Sequence, residues 1–309
     1  MSSSTGGTPR PSGGGAPEHT HRRAPQRIRL VVVDLDGTAL RGNGRITRAT
    51  RRALRMARRH GAVVCVATGR APTGARQYAR ILRANGPIVC LDGALIMQGE
   101  RLLFDLPLPH DAAARVTALA EEVSGGWIAL TRRGRVHGGR SRRPPQASLG
   151  QVLRHPGRSL RFLKSVWREE HRRSETVPDE PVYKLLIWAP AGAPRELLDR
   201  EVRAVPGIRV PSAPGTTAEV VADGVTKGRA LEVVATHLGI PASEAVAFGD
   251  ARNDVEMLAW AGYGVAMGGA PAELLAVADA QTEGVQQDGL AREIRRLFRG
   301  RGRAVRGQP

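Results

Sequence analysis

The sequence predicts a doubly wound, mainly parallel α/β sheet that is interrupted by an inserted α+β domain. Three observations support this fold class. Short, β-branched apolar segments alternate with helical segments at both ends of the 309-residue chain, which is typical of parallel sheets. The middle of the chain breaks this alternation. Polar residues directly follow several of the apolar segments, at the edge where ligands bind in such sheets.

The first elements of the predicted sheet are strongly patterned. The opening strand is apolar without alternation, as expected for a strand that is buried on both faces. The first helix has Thr47 as its expected N-cap and Gly61 as its stop, and the second ends at Asn85 and Gly86. The expected elements are strand 28–33, helix 47–60, strand 62–69, helix 72–84 and strand 87–91.

Beyond these elements, residues 95–221 are predicted to form a separate α+β domain. Its expected elements are strands within 101–108, 125–131, 182–189 and 216–222 and helices near 111–123 and 194–205. The α/β alternation returns after Lys227, with helix 228–238, strand 245–250, helix 254–261, strand 262–267 and helix 271–278. We therefore expect one α/β core, made of residues 28–94 and 222–299, with an inserted domain between its halves.

Both ends of the chain are predicted to be disordered tails. Residues 1–27 are rich in glycine, serine and proline, and residues 300–309 are basic, so neither tail can build a core. The N-terminus lacks the apolar stretch of a secretory signal, and no segment has the ~20 apolar residues of a membrane helix. We therefore expect a cytoplasmic monomer or homodimer, in which Cys65 and Cys90 are buried free thiols.

Positive charge is concentrated in two segments of a chain whose formal net charge is +18. Arginine is dense between residues 132 and 173 and again after residue 295. Such segments attract phosphates, nucleic acids or anionic membranes. The segment 132–173 either selects anionic substrates or forms an exposed basic face. Its lack of apolar periodicity favours the exposed face.

Two carboxylates come directly after the first predicted strand, in the run DLDGT at residues 34–38. Asp34 and Asp36 are two positions apart, so they start on the same side of the strand. Two close carboxylates repel each other, which raises the pKa of one of them unless a cation lies between them. One can then act as a nucleophile and the other as an acid or base. Gly37 permits the turn that brings Asp36 over the site.

Other polar residues follow the later strands. The second strand ends in Thr68, Gly69 and Arg70, which offer a hydroxyl group and backbone amides to a phosphate. Lys227 brings a positive charge to the start of a helix. A lone Thr-Gly-Arg or a lone lysine is a weak signal. Together with the acidic runs, however, these groups fall in order at strand ends and helix starts, which helix capping alone does not explain.

A second acidic run follows the strand at residues 245–250. Asp250 ends this strand, and Asp254 lies four residues later, so both carboxylates can face one ion. Hard carboxylate oxygens are ligands that suit Mg²⁺, which also takes a substrate phosphate oxygen. The sequence therefore predicts a magnesium site beside the two aspartates of the first strand.

These four segments resemble the four motifs of the haloacid-dehalogenase (HAD) superfamily. The segments are DLDGT, ATGR, VTKGRAL around Lys227, and FGDARNDVEML. Their order, the inserted domain after the third strand and the segment GVAMGGAP are similar to the Cof-like branch, which carries a large α+β cap of the C2 type. The resemblance covers residues 28–298 and implies a HAD-like Rossmannoid core with this cap.

The resemblance implies a Mg²⁺-dependent phosphatase that acts on a small phosphorylated metabolite through an aspartyl phosphate. Asp34 would attack phosphorus, and Asp36 would protonate the leaving oxygen and then activate water. Binding of the phosphate and substrate is expected from Thr68, Gly69, Arg70, Asp92, Gly93, Lys227 and Asn253. Binding of Mg²⁺ is expected from Asp34, the Asp36 carbonyl and Asp250, with support from Asp254.

Three positions depart from the superfamily pattern. The family usually has Asn-Gly-Ala where this chain has Asp92, Gly93 and Ala94. An acid at this position adds negative charge near a phosphate unless it is paired. Gly269 stands where the family favours asparagine, and Ala39 stands where a leucine commonly follows DGT. None of these changes removes a predicted catalytic group, but Asp92 and Gly269 alter the expected substrate contacts.

Two alternative functions stay open at this stage. A phosphomutase of the same superfamily would share the motifs but return the phosphoryl group to a substrate, and its activity would need a bisphosphate activator. A nucleic-acid or polyanion binding protein would use the arginines and keep the fold as a scaffold, and its affinity would fall steeply with salt. Few aromatic residues lie among the arginines, which argues against recognition of single-stranded nucleic acid by base stacking.

Overall fold

Two β-sheets with packed helices make up the part of the chain that the structure, a computed structural model, describes. The described residues are 22–139, 170–190, 192–193, 195–212 and 217–299. Most of both predicted tails and most of the arginine-rich segment lie outside these ranges.

The predicted strands and helices occur in their predicted order, and the structure adds elements that the sequence did not predict, at residues 95–98, 134–139, 170–173, 208–212, 280–281 and 289–298. The first half contains β1 (Leu30–Val33), α1 (Arg48–Arg59), β2 (Val63–Ala67), α2 (Pro72–Leu82), β3 (Ile88–Cys90), β4 (Leu95–Gln98), β5 (Arg101–Asp105), α3 (His110–Glu122), β6 (Gly126–Thr131) and β7 (Gly134–Gly139). The second half contains β8 (Glu170–Arg173), β9 (Val182–Trp188), α4 (Arg195–Arg203), β10 (Ile208–Ser212), β11 (Thr217–Ala222), α5 (Lys227–Leu238), β12 (Ala245–Gly249), α6 (Val255–Trp260), β13 (Tyr263–Ala266), α7 (Ala272–Leu275), β14 (Ala280–Gln281) and α8 (Gly289–Phe298).

The first sheet has the strand order β14-β13-β12-β1-β2-β3-β4-β5. The strands from β14 to β3 run parallel, and β4 and β5 add an antiparallel edge. Val31 and Val33 of β1 belong to the apolar cluster on one side of the sheet, and Leu30 and Val32 belong to the cluster on the other side. Burial on both faces explains the unbroken apolar run and confirms the predicted doubly wound α/β fold.

The ends of the first two helices show how local sequence sets these elements. Thr47 caps α1 as predicted, because its hydroxyl oxygen accepts the backbone N–H of Thr50 at 3.0 Å. Helix α2 ends at Leu82, earlier than predicted, and its C-cap Arg83 adopts a left-handed conformation with φ of 53°. The Asn85 side chain instead accepts the backbone N–H of Val64 at 2.9 Å, which ties the loop to β2.

The second sheet has the strand order β10-β11-β9-β6-β7-β8 and is antiparallel except between β7 and β8. Helices α3 and α4 contact each other, and α3 packs on β6 and β9. Trp127 and Tyr183 are among the largest fully buried side chains of the described chain. The second sheet therefore has its own α+β packing, as the sequence predicts.

The strand pairing differs from the predicted domain boundary at residue 95. Strands β4 and β5 pair with β3, so residues 95–105 extend the first sheet. The chain enters the second sheet only at β6. The apolar run of β4 is short and its residues Leu95, Ile96 and Met97 are buried, and sequence alone does not reveal which sheet buries them. Strand β11 ends at Ala222, and the return to the core at residue 222 stays a prediction.

Residues 22–27, the last part of the predicted tail, belong to the described residues, and Arg22 contacts the rest of the chain. The Arg22 side chain pairs with the Asp279 carboxylate at 2.9 Å and donates to the carbonyl oxygen of Ala261 at 2.7 Å. The Asp279 side chain is fully buried, so it needs these partners. Composition does not signal the contact, because a single arginine in a polar segment gives no apolar pattern.

Candidate active site

Four neighbouring strands of the first sheet end at the same edge, and polar residues follow each of them. Strands β12, β1, β2 and β3 lie side by side and run parallel. Asp34 follows β1, Thr68 follows β2 and Asp250 follows β12. Asp92 lies in the 3₁₀ turn Leu91–Gly93 after β3. The parallel topology thus brings together residues that are distant in the chain.

Lys227 lies beneath this edge and joins two of the aspartates. Its ammonium donates to Asp34 Oδ1 at 2.7 Å and to Asp254 Oδ1 at 2.6 Å. The Lys227 and Asp254 side chains are fully buried, and that of Asp34 is 7% exposed. Asp254 Oδ2 also accepts the backbone N–H groups of Asp250 and Ala251. Asp254 therefore holds both the lysine and the loop after β12.

Asp250 is the third carboxylate of this group, and it contacts the loop after β1. The Thr38 hydroxyl donates to Asp250 Oδ1 at 2.7 Å. Gly37 has a φ of +91°, and a Cβ atom added there would lie 1.9 Å from Asp250 Oδ2. Glycine is therefore required at residue 37 for both backbone conformation and space.

Burial and charge together shift the acidity of these groups. Burial raises the pKa of Asp34 well above its usual value, Lys227 opposes the shift, and the carboxylates of Asp254 and Asp250 add to it. Burial also raises the pKa of Asp250 to about 6, although the hydrogen bond from Thr38 opposes the shift. One ammonium faces three carboxylates, so the cluster is short of positive charge.

The three carboxylates fit a divalent cation. Asp34, Asp250 and Asp254 each place one oxygen within 4.8 Å of the other two. Oxygen ligands in a group that lacks positive charge suit Mg²⁺. Both oxygens of Asp254 already accept hydrogen bonds. Asp34 and Asp250 are therefore the better placed direct ligands, with Asp254 supporting them from below.

Asp36 lies higher, at the mouth of the site. Its two carboxylate oxygens accept hydrogen bonds from Nε and Nη2 of Arg70, each at 2.6 Å. The Asp36 side chain is 45% exposed. The Arg70 guanidinium lies over the ring of Tyr78, 4.9 Å from the centroid. This arrangement places the Asp36 carboxylate beside the opening and gives Arg70 an acidic partner, where the sequence predicted a phosphate ligand.

Backbone hydrogen bonds join the loop after β2 to the loop after β3. The N–H of Asp92 donates to the carbonyl oxygen of Thr68 at 3.1 Å, and the N–H of Leu91 donates to that of Arg70 at 3.1 Å. A Cβ atom on Gly69 would lie 2.9 Å from Asp92 Oδ1. The two loops therefore form one rigid unit, in which Thr68 is buried at the base.

The carboxylate of Asp92 is paired, so the negative charge that distinguishes this position from the family pattern is compensated. Lys184 of β9 donates to Asp92 Oδ2 at 2.7 Å, and the Asn253 side-chain amide donates to Asp92 Oδ1 at 2.7 Å. Burial alone would raise the pKa of Asp92, but the ammonium groups of Lys184 and Lys227 and these hydrogen bonds lower it to about 2. Asp92 is therefore an anion with both oxygens occupied.

A cavity of about 470 Å³, here called the inter-sheet cavity, lies between the two sheets above Asp34. Among the predicted site residues, its lining includes Asp34, Asp36, Thr68, Gly69, Arg70, Asp92 and Asn253. The second sheet contributes a wall, here called the second-sheet wall, made of Leu130, Arg135, Lys184, Leu186 and Glu219. The structure thus brings the sequence motifs together under residues from the inserted segment.

Sequence reasoning missed the residues of the second-sheet wall except Arg135, which lies in the arginine-rich segment 132–173. Leu130 lies opposite Lys184 and Arg135 in adjacent strands, and Leu186 lies opposite Glu219. These side chains therefore come from neighbouring strands rather than from one motif. The one available signal was Lys184, a charged residue within the apolar run VYKLLIW, since a buried lysine requires a partner.

Gly93 does not lie in the lining of the inter-sheet cavity, although the sequence predicted it among the substrate-binding residues. A Cβ atom on Gly93 would lie 2.3 Å from the carbonyl oxygen of Thr226, the N-cap of α5. Gly93 thus lets the loop after β3 approach the helix that carries Lys227. Lys227 itself contacts Asp34 from behind the lining.

The comparisons with known proteins decide the family. A family profile described as haloacid dehalogenase-like hydrolase matches residues 31–294. The chain belongs to this family. The predicted superfamily, its Cof-like branch and the HAD-like fold are confirmed. The prediction of an enzyme, a phosphatase of the HAD type, is confirmed as well.

The relatives cover nearly the whole described fold. The chain is 28% identical to "Phosphatase YwpJ" of Bacillus subtilis over 287 residues, which cover 88% of this chain and 100% of YwpJ. It is 27% identical to "5-amino-6-(5-phospho-D-ribitylamino)uracil phosphatase YcsE" of the same organism, covering 87% of this chain and 95% of YcsE. A crystal structure of a haloacid dehalogenase-like hydrolase from Bacteroides thetaiotaomicron superposes with a TM-score of 0.74 at 26% identity, covering 88% and 100% of the two chains.

Among the described residues, none of the helices combines the length and the apolar character that crossing a bilayer demands.

Proposed function

We propose that this enzyme is a Mg²⁺-dependent phosphatase that hydrolyses a small phosphorylated metabolite through an aspartyl phosphate on Asp34. The observation that carries the proposal is the position of Asp34 at the base of the inter-sheet cavity. Its Oδ1 lies 2.7 Å from the Lys227 ammonium, and its carboxylate faces those of Asp250 and Asp254. An anionic nucleophile can approach a phosphate dianion only where such positive charge offsets their repulsion.

In the first step, an oxygen of the Asp34 carboxylate attacks phosphorus and the bond to the leaving oxygen breaks. Lys227 neutralises charge on the transferred group, and the Thr68 hydroxyl, buried at the base of its loop, can donate to a phosphoryl oxygen. For this step Asp36 must be protonated and released from its bidentate pair with Arg70, and it then gives its proton to the leaving oxygen at the mouth of the cavity. Mg²⁺ bound by Asp34, the Asp36 carbonyl and Asp250 would supply further positive charge at the phosphoryl oxygens.

In the second step, water attacks phosphorus of the aspartyl phosphate and releases inorganic phosphate. Asp36, now a carboxylate, takes the proton from this water. Arg70 holds both Asp36 oxygens in place through its two hydrogen bonds. This bidentate contact stabilises the carboxylate form of Asp36, which is the form that acts as the base in the second step.

The size and lining of the inter-sheet cavity support a small substrate. Its volume of about 470 Å³ falls within the range of roughly 300–1,000 Å³ for small-molecule sites. The second-sheet wall offers both apolar surface, from Leu130 and Leu186, and charge, from Arg135, Lys184 and Glu219. Such a wall can contact a leaving group of mixed character. A cytoplasmic location and a monomeric or homodimeric state stay predictions.

A product assay tests the proposed reaction. The full chain should release inorganic phosphate from at least one member of a panel of sugar phosphates, nucleotides and cofactor phosphates when Mg²⁺ is present. Acid quenching during turnover should trap a phosphorylated protein with the label on Asp34, detected by mass spectrometry. Release of phosphate without any trapped phosphoprotein, and with unchanged rates in Asp34→Asn, would contradict the covalent route.

The same assay separates the phosphomutase. A mutase would move the labelled phosphoryl group to a second position of the sugar, would release little inorganic phosphate and would require a bisphosphate activator. The polyanion alternative has one feature in its favour, a groove of about 290 Å³ lined by Arg48, Arg51, Arg52, Arg55 and Arg83. Strongly salt-dependent binding of oligonucleotides at this groove, without any ester hydrolysis, would favour that alternative.

A further inference from the structure

One ion-pair cluster crosses from the first sheet to the second at the wall of the inter-sheet cavity. Lys184 donates to Asp92 Oδ2 at 2.7 Å and pairs with Glu219 Oε2 at 2.5 Å. The side chains of Lys184 and Asp92 are 3% and 6% exposed, and that of Glu219 is 36% exposed. Lys184 and Glu219 belong to neighbouring strands β9 and β11, whereas Asp92 follows β3. The Asp92–Lys184 pair therefore joins the two sheets.

Asp92 is held rigidly at its end of the pair. Its backbone is left-handed, with a φ of 59°, and the preceding Leu91 has a φ of 50°. Such conformations persist in non-glycine residues only where the surroundings hold them. Here the backbone hydrogen bond to Thr68 and the side-chain bond from Asn253 provide that support. Asp92 thus presents its Oδ2 to Lys184 in a fixed direction.

This arrangement argues against Asp92 as a ligand of the phosphoryl group. Both carboxylate oxygens accept hydrogen bonds, from Asn253 and Lys184. An anion at this place repels a phosphate dianion, and Asp92 has no proton to donate to one. Its contribution must therefore pass through the groups that it holds, and Lys184 is the one that lines the cavity from the opposite sheet.

We propose that Asp92 is a positioning residue that holds the Lys184 ammonium in the cavity wall and thereby sets how closely the second sheet covers Asp34. Lys184 and its neighbours Leu130 and Leu186 then face the leaving group at a fixed distance. When the second sheet moves away to admit substrate, Lys184 keeps Glu219, its partner in the same sheet, and loses Asp92. The pair therefore favours the closed arrangement without binding phosphate.

The kinetic test of this inference rests on the proposed function. Asp92→Asn and Lys184→Gln should each raise KM for the best ester of the panel by about tenfold, which corresponds to ~1.4 kcal/mol, with smaller changes in kcat. Because both variants break one pair, the double variant should raise KM by about tenfold as well, rather than by the roughly hundredfold expected for independent sites. Asp199→Asn, which breaks the exposed Arg203–Asp199 pair at 2.9 Å, is the matched control and should leave KM unchanged.

A direct contact between Asp92 and the phosphoryl group predicts different kinetics. Removing its charge would then relieve repulsion and lower KM, whereas Lys184→Gln would raise KM, and the effects of the two variants would add. Opposite signs or full additivity would overturn the inference.

A physical measurement tests the pair without any enzyme activity. Spin labels at Arg51→Cys on α1 and Arg200→Cys on α4 report the separation between the two sheets, since both positions are exposed. Cys65 and Cys90 are fully buried, and burial raises the pKa of both thiols, that of Cys90 to about 12, so they should stay unlabelled.

Asp92→Asn and Lys184→Gln should each shift the distance distribution to longer values, and Asp199→Asn should not. An unchanged distribution in both variants would overturn the inference even if the protein is an active phosphatase. A shifted distribution in a protein that hydrolyses no ester would instead contradict the proposed function and leave the pairing supported.

Discussion

The two walls of the inter-sheet cavity are built in different ways. The wall on the side of the first sheet, here called the first-sheet wall, takes its polar groups from loops that follow parallel strands. These groups include Asp34, Thr68 and Asp92. The second-sheet wall takes its groups from within antiparallel strands, where alternate side chains such as Lys184 and Leu186 share a face. One wall is therefore a set of loop ends, and the other is the face of a sheet.

This difference separates two tasks. Loop ends at a sheet edge can converge on one small group. Asp34 in the first-sheet wall meets Asp250, Asp254 and Lys227, which lie behind the lining, within a few ångströms. A sheet face spreads its groups over neighbouring strands and presents a broad surface. We therefore expect changes in the first-sheet wall to affect the chemical step, and changes in the second-sheet wall to affect recognition of the leaving group.

The largest expected effect is at Asp34. Asp34→Asn should lower kcat by at least ~10⁴-fold, because an amide cannot form the phosphoenzyme. Circular dichroism and the melting temperature should show that the fold is kept. Substantial turnover by the folded variant would contradict the nucleophile, and an equal loss of kcat in Arg135→Gln would remove the contrast between the walls.

Removal of metal should have the next largest effect. Chelation should abolish activity and Mg²⁺ should restore it. Without the metal, the carboxylates of Asp34 and Asp250 add negative charge where a phosphate must bind, and Lys227 alone does not offset it. Asp250→Ala should raise the Mg²⁺ concentration needed for half-maximal activity by more than ~10-fold, since it removes one charged ligand. Ca²⁺ should substitute poorly. Full activity in excess chelator, with a metal-free protein confirmed by elemental analysis, would rule out this dependence.

The contrast between the walls also explains which parts of the molecule could be predicted from sequence. Asp34, Asp36 and Asp250 follow apolar strands directly, so local order and parallel topology together indicate a shared edge. Lys184 lies within an apolar strand, and its partner Asp92 is 92 residues away in the chain. The pairing of these two depends on how the second sheet lies over the first, which no local pattern encodes.

The structure adds two features near the predicted domain boundaries that local sequence patterns did not indicate. Strands β4 and β5 are short, and their apolar residues could be buried by either sheet, so sequence did not reveal that they extend the first. Arg22 was assigned to a disordered tail because composition averages over a segment, whereas its role depends on one buried partner, Asp279.

The segment before β1 gives a test that concerns stability and leaves both walls intact. Deleting residues 1–26 should lower the free energy of unfolding by roughly 1–3 kcal/mol, because Asp279 loses Arg22 and stays buried. Deleting only residues 1–21 keeps Arg22 and is the matched control, which should unfold like the full chain. Urea denaturation measures both. Equal stability of the two truncations would show that Asp279 does not need this partner.

The smallest expected effect concerns the arginines within β7 and just before it. Arg135 is half-buried and lines the inter-sheet cavity. Arg132 and Arg133 are exposed and line a different groove, beside Glu180. The sequence left two roles open for the segment 132–173, a selector of anionic substrates and an exposed basic face. The position of Arg135 fits the first role, and the positions of Arg132 and Arg133 fit the second.

Arg135→Gln should raise KM for an ester with an anionic leaving group about three- to tenfold, because roughly 0.7–1.4 kcal/mol is expected for one charged contact. Its kcat should change little, since the chemical groups lie in the first-sheet wall. Arg132→Gln removes the same charge three residues away and should leave KM unchanged. Higher salt should narrow the difference between Arg135→Gln and the unmodified enzyme. Equal, weak responses of both variants would show that Arg135 belongs to the exposed face as well.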